Sequence, residues 1–329
     1  MATSSYFGRN AYVSVGEETG GYGTPNTSPT VTRPIISCSM LRQIEKVERP
    51  NLRVAGVAGV RKGHFIASDK ATGNLTLEAT YDNIGYFIQE SLGAGVTSAG
   101  TVNTHTYSLG DVPVAGTTMY LQRGTDDNYE DFEGCVFSTF TFSCSAGEIA
   151  QLSLDIIAET SGGRSSTSPT PPSFSEPTNE NLVLHHHCGN MSWNSTSVNL
   201  SSFEYKLENG LTERMRLGSL LTKQPVQGDY RTATVTVEFE TDDAQYAAFL
   251  ADNQSDLEIT FNNGGAGAAN RQMTFKLNSA YISEFSDEVS ETGLIMASVT
   301  FKAEGTGSSG LALGTQIVVM NETTKVGNG

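Results

Sequence analysis

Residues 71–91 read ATGNLTLEATYDNIGYFIQES, and residues 231–253 read RTATVTVEFETDDAQYAAFLADN. In the first stretch Leu75, Leu77 and Ala79 alternate with Thr76, Glu78 and Thr80, the period of a strand with one buried face. The chain then turns at Asp82-Asn83 into a short helical pattern carrying Ile84, Phe87 and Ile88, with Gly93 placed to end it. In the second stretch Val235, Val237 and Phe239 alternate with Thr236, Glu238 and Glu240, and Thr241-Asp242-Asp243 caps a helical pattern carrying Tyr246, Phe249 and Leu250. The two align without a gap, Leu75 on Val235, so strand, acidic cap and short helix recur 160 residues apart.

A second correspondence lies downstream. Phe140 falls on Phe285, Leu154 on Val299, Ile156 on Phe301 and Ala158-Glu159 on Ala303-Glu304, an offset of 145 that predicts a closing hairpin in each copy. The offset drops by 15, so the first copy carries an insertion, placed in Gly93–Thr106 or Arg123–Glu133. Before each strand–helix unit runs a 26-residue stretch of similar character, 50–75 and 210–235, rich in Arg, Gly and polar residues. Such lengths read as excursions from a sheet, and long loops kept at one place in both copies point to function. The division that follows is an N-terminal arm (1–34), a first β-domain (35–160), a Ser/Thr/Pro linker (161–177), a second β-domain (178–305) and a tail (306–329) with one strand candidate, Thr315–Met320.

Composition bounds what such a chain does. At 329 residues it has room for two domains of ordinary size. Charged residues make up 17%, and Ser and Thr about a fifth, which favours strands and turns. Its 36 acidic against 20 basic residues give a net charge of −16, which argues against a surface that grips nucleic-acid phosphates. Met1–Asn10 shows neither the basic nor the apolar region of a signal peptide, and no apolar run is long enough to span a bilayer. Four cysteines are too few for a disulfide scaffold, although Cys135 and Cys144 can meet if they fall on neighbouring strands.

Motifs that carry chemistry are sparse. If His185-His186-His187-Cys188 is a strand, His185 and His187 share a face and offer half of a metal site; the plain alternative is a polar strand opening the second copy. The acid pairs Glu17-Glu18, Asp126-Asp127 and Asp242-Asp243 have no histidine or nucleophile beside them. There is no H-E-x-x-H, G-x-S-x-G, C-x-x-C or phosphate-binding loop, so neither catalysis nor a cofactor is expected. Trp193, the lone tryptophan, reads as core rather than a sugar-binding platform.

At this point the chain resembles the tail tube (major tail) proteins of long-tailed bacteriophages. Glu17-Glu18-Thr19-Gly20-Gly21-Tyr22-Gly23-Thr24-Pro25 is similar to the E-T-x-Y-G-T-P opening common there, with one extra Gly. A polar loop, the strand and acidic helix of 75–92, Tyr107 in THTYSLGD and the hairpin over 135–159 follow in the same order, so the resemblance spans about 11–305. It implies a mainly β fold: two tandem β-sandwich or half-barrel tail-tube domains, each with one short flanking helix. It further implies a virion protein, assembled in the host cytoplasm, whose inner sheets join into a barrel around the DNA channel. Some members carry two fused domains and form trimeric rings of pseudo-sixfold symmetry. Tape-measure and tail terminator or tip proteins are the partners implied, and membrane insertion is not.

Geometry supports six domains per ring. Four strands from each make 24, which at about 4.8 Å spacing and about 40° tilt give a backbone diameter of roughly 48 Å, wide enough for duplex DNA. The excursions, about 44–70 and 206–230, are then the expected reach to the next ring, with Arg49, Arg53, Arg61, Lys62, Arg214, Arg216 and Lys223 as candidate contacts. Glu78, Glu238 and Glu240, outward on their strands, are candidate lumen acids that keep DNA from sticking. A β-rich adhesin or receptor-binding virion protein is the alternative, and a metal-dependent enzyme using His185 and His187 is a third.

Overall fold

The computed structural model describes residues 11–48, 63–100, 102–110, 116–123, 129–165, 181–194, 196–241, 243–265, 269–288, 295–303 and 314–321. The alternating patterns become strands in both halves of the chain. The first half holds β1 (Tyr12–Glu17), β2 (Val31–Pro34), β3 (Ser37–Cys38), β4 (Leu41–Glu48), β5 (His64–Glu78), helix α1 (Ile84–Leu92), β6 (Gly93–Ser98), β7 (Asn103–Leu109), β8 (Thr117–Gln122), β9 (Tyr129–Ser145), β10 (Gln151–Ala158) and β11 (Thr160–Ser165). The second half holds β12 (Met191–Trp193), β13 (Thr196–Val198), β14 (Ser202–Glu208), β15 (Leu211–Arg214), β16 (Lys223–Gln227), β17 (Thr232–Glu240), α2 (Asp243–Leu250), β18 (Ser255–Asn262), β19 (Gln272–Glu288), β20 (Met296–Ala303) and β21 (Thr315–Asn321). The chain is mainly β, with large antiparallel sheets and two short helices among the described residues, as its patterning predicts.

One antiparallel run crosses both halves. It passes from β3 and β4 through β5, β10 and β9, then directly onto β14, β17, β20 and β19. The two halves of this run repeat even a defect. In β9 Ser138 is the extra residue of a bulge, its Oγ donating to the Asp155 carbonyl at 3.0 Å. In β19 Ser283 is the extra residue, and its Oγ donates to the Thr300 carbonyl at the same 3.0 Å. A bulge bends its strand. Here β9 and β19 each leave the long run at this point: residues 129–135 of β9 pair with β8 and β11, and residues 272–277 of β19 with β18 and β21.

The apolar side of the long run forms the core with these outer strands. Where the halves meet, Phe140 and Phe142 of β9 pack with Phe203 and Tyr205 of β14, Phe261 of β18 and Phe275 of β19, at ring-centroid distances of 4.7 Å for Phe142–Phe275 to 6.1 Å for Phe140–Tyr205. All six rings are buried, so the joint is as dry as the interior of either half. Trp193 also lies in the core, edge-on to Phe301, its Nε1–H donating to the Ala280 carbonyl.

Above the joint Arg231 closes the end of α1. Its Nη2 donates to the carbonyls of Ser91 (2.9 Å) and Leu92 (3.2 Å), its Nη1 to that of Gly110 (2.7 Å) and its Nε to Asn209 Oδ1 (2.9 Å). A cation there meets the negative end of the helix dipole and satisfies carbonyls left over by the last turn. Asn209 Nδ2 in turn donates to the carbonyls of Ser91 and Phe137.

Several expectations change. The insertion in the first copy is the β6–β7 hairpin, within the predicted stretch, and it docks on the second half: β7 pairs with β21. Residues 12–17 and 31–34, assigned to an arm, are strands of the first outer sheet, and Thr160–Ser165, at the start of the supposed linker, are β11. The tail strand β21 is likewise part of the sheet, between β19 and β7. The predicted apolar face of α2 is only partly buried: Phe249 packs against Phe285, but its neighbours on that face do not follow it inward. Tyr246 is 45% and Leu250 67% exposed, whereas α1 buries Tyr86, Phe87 and Ile88. Finally, Cys135 and Cys144 lie on the same strand and are free thiols, because nine residues of extended chain separate them.

Candidate functional site

The polar side of the long run carries charged and hydroxyl side chains. Register places its side chains in rows across both halves. Asn74, Asp155, Thr139, Glu208 and Thr232 form one row, and Thr76, Ser153, Thr141, Lys206, Thr234 and Lys302 the next. Glu78, Gln151, Ser143, Glu204, Thr236, Thr300 and Glu284 form a third, followed by Ser145, Ser202, Glu238, Ser298 and Ser286. Glu240 stands beyond, opposite Met296. Seven carboxylates (Glu78, Asp155, Glu204, Glu208, Glu238, Glu240, Glu284) thus face two ammonium groups (Lys206, Lys302) in a field of hydroxyls.

The candidate lumen acids Glu78, Glu238 and Glu240 all lie on this one side, the latter two exposed. Glu238 accepts from Ser202 Oγ at 3.0 Å and Lys206 pairs with Glu208 at 2.6 Å, so local pairing leaves an acidic surplus. Asp155 joins Glu78 through the β5–β10 pairing, and Glu204, Glu208 and Glu284 join Glu238 and Glu240 through β14, β17, β20 and β19; the β9–β14 pairing unites the two sets. The signal that finds them is the same alternation, once the strand order is known.

The two excursions meet each other. Residues 41–48 and 64–67, in the hairpin of β4 with the start of β5, are exposed along all of β4, including Leu41, Ile44, Val47, Phe65 and Ile66. Against the root of this hairpin lies the second excursion: the Asp69 amide donates to the Leu220 carbonyl at 2.9 Å, and Lys70 Nζ meets Glu213 Oε2 at 2.6 Å. Met215, Leu217 and Leu220 point into solvent from its tip. Of the basic candidates, Arg214 donates to the Gln224 carbonyl inside its own β15–β16 hairpin, Arg216 is exposed at the tip, and Lys223 lies toward Glu159. Arg49, Arg53, Arg61 and Lys62 lie outside the described residues.

The second acid of the E-E-T-G-G-Y-G-T-P opening has a structural task. Glu18 is buried and accepts from the amides of Gly23 (2.7 Å) and Gly134 (2.7 Å) and from Thr118 Oγ1 (3.0 Å), closing a turn in which Gly21 and Gly23 have positive φ. A carboxylate fits because its two oxygens accept from three donors brought together from the turn, β8 and β9. Nearby Glu90 is buried beside Glu17, and burial first, then Glu17, pushes its carboxyl up to about 8.

The histidines form a 3-10 turn, His185–His187, rather than a strand, so they do not share a face. His187 is buried against Tyr81, its Nδ1 3.1 Å from the Tyr81 hydroxyl, and burial holds its pKa below the ordinary value. No group of three or more metal-ligating side chains gathers among the described residues. No helix among them is long and apolar enough to cross a membrane.

Among the described residues the chain is a β protein whose long sheet carries an acidic, hydroxyl-rich side across two similar halves. The family profile described as phage tail tube protein matches residues 8–303, and the chain belongs to that family. It is therefore a structural protein of the virion tail. No curated relative matches the chain.

Proposed function

We propose that three copies of this chain form a ring of pseudo-sixfold symmetry, and that rings stack into the hollow tube through which genomic DNA leaves the virion. The observation that carries this reading is the unbroken pairing of β9 with β14, which makes two four-stranded units one eight-stranded sheet. Three such sheets supply the 24 strands of a barrel roughly 48 Å across at the backbone.

In that barrel the polar side of the long run faces the lumen. Phosphates meet carboxylates and neutral hydroxyls, release no counterions, and slide instead of sticking. The apolar side is already covered by the outer strands, so it has no reason to face water. The excursions extend toward the next ring, where Arg49, Arg53, Arg61, Lys62, Arg216 and Lys223 meet acidic partners and Arg214 braces its hairpin. The protein performs no catalysis and needs no cofactor; tape-measure and terminator proteins are its companions in the tail, which assembles in the host cytoplasm.

Electron microscopy of the purified protein, with native mass spectrometry of isolated rings, tests this. Rings of about 105 kDa, three chains of 35.1 kDa, are expected. A ring of about twice that mass rejects the three-chain reading, and a chain that stays monomeric at high concentration in every salt rejects the tube.

A further inference from the structure

We infer that neighbouring chains in the ring are joined by one antiparallel strand pair of defined register: residues 37–41 of one chain against residues 284–288 of the next, with Cys38 opposite Asp287, Ser39 opposite Ser286 and Met40 opposite Phe285. The inference rests on the ring reading above and adds to it which edges meet and how.

The register comes from the joint inside the chain. There Glu208 lies opposite Thr139, Leu207 opposite Phe140, Lys206 opposite Thr141 and Tyr205 opposite Phe142. Each partner has a counterpart in the other half. Tyr205 pairs with Val235 as Cys38 pairs with Leu75, and Glu208 with Thr232 as Leu41 with Thr72. Phe140 pairs with Leu154 as Phe285 pairs with Val299, with the same bulge one turn of the ladder away. Carrying the internal register across these counterparts gives the pairs stated.

Both edges are open among the described residues. Residues 284–288 pair on one side only, with β20, while the corresponding part of β9 has β10 on one side and β14 on the other. Residues 37–41 pair only with β5; Arg123 Nη2 reaches the Met40 carbonyl at 3.4 Å, too long for a strong hold. An open edge invites another strand.

In the single chain Met40 is already buried and Cys38 half-buried, while Ile36, beside the first edge, is 48% exposed. Beside the second edge Phe285 carries Tyr246 and Phe249 of α2 at centroid distances of 5.3 and 5.8 Å, and this is the helix whose Tyr246 and Leu250 face solvent. The counterpart helix α1, which sits over the internal joint, is buried. What buries α1 is β9 and the β6–β7 hairpin of its own half, with Arg231 and Asn209 of the other half reaching its last turn; α2 has no such hairpin beside it among the described residues, and the next chain is what covers it.

The two joints differ in strength. The internal one holds an aromatic cluster and Arg231, whereas the one between chains sets Cys38 and Met40 against Phe285, and the counterpart of Arg231 is Ala71.

The test uses the native thiol. Asp287→Cys in the otherwise unchanged full-length chain, assembled and oxidised with diamide, is expected to give covalent three-chain species on a gel without reductant, and none when Cys38→Ser is added. On the opposite face of the same strands, Ser39→Cys with Ser286→Cys in a Cys38→Ser chain gives the same product and stands in if Asp287→Cys assembles poorly. The register-shifted pair Ser39→Cys with Glu284→Cys gives none. Rings that form but fail to crosslink through either matched pair overturn the register while leaving the ring intact. Wild-type protein that forms no rings overturns both.

Discussion

Arg231 Nη2 donates to the carbonyl oxygen of Ser91 at 2.9 Å, binding the second half of the chain to the last turn of a helix in the first, 140 residues away. Arg231→Ala takes the guanidinium donor from the Gly110 carbonyl and Asn209 Oδ1, and leaves the Ser91 and Leu92 carbonyls with one donor each, from Asn209 Nδ2 and the Gly110 amide. A loss of about 3–5 kcal/mol is expected in urea unfolding. Arg231→Lys, which cannot reach four acceptors in one plane, recovers less than half of it.

Burial beside Glu17 raises the Glu90 carboxyl, so the native state holds its proton more tightly than the unfolded chain does. The sign follows: stability from this group is greatest below about 4.5, falls as pH climbs and levels off above about 8. Glu90→Gln keeps the shape without the charge. Urea unfolding at pH 5 and pH 9 is expected to show little difference at the lower pH and a gain on the order of a few kcal/mol at the higher.

Gly73 of β5 faces the place where β3 passes into β4, and a Cβ there would stand 2.6 Å from the backbone of Met40. Gly73→Ala must push the chain at residues 39–40 outward, at a cost of about 1–3 kcal/mol. Because that backbone is the proposed edge between chains, ring formation is expected to weaken more than the monomer's own stability. Comparing thermal unfolding with ring yield by size-exclusion separates the two.

Glu204 and Glu238 are exposed on the polar side of the long run. Glu204→Lys with Glu238→Lys replaces repulsion by attraction. Tubes of the double variant are expected to retain duplex DNA at low salt and release it as salt rises, with log K falling by roughly 0.9 per phosphate contact for each unit of log salt. Wild-type tubes are expected to retain none under the same filter-binding conditions.

Much of this fold is legible in 71–91 and 231–253, because strand periodicity and helix caps are local. The terminator Gly93 shows this: it ends α1 in the left-handed region at φ 96°, donating to the Gln89 carbonyl. The three histidines show the limit, since polar residues without apolar alternation fit a strand or a turn equally well. Tyr246 and Leu250 show another: their spacing identifies a helix face but not whether the same chain covers it.

The sequence by itself determined that the chain is mainly β, that one unit occurs twice, and that carboxylates and hydroxyls share one side of its strands. Period-two alternation fixes the face of a strand and says nothing of its neighbours. Tertiary structure alone decided that β9 meets β14, that Arg231 caps α1, that residues 12–17, 160–165 and 315–321 pair into the sheets, and which strands end the long run among the described residues. Those depend on hydrogen bonds between residues far apart in sequence, where the cost of closing the loop is met only by the whole core forming together.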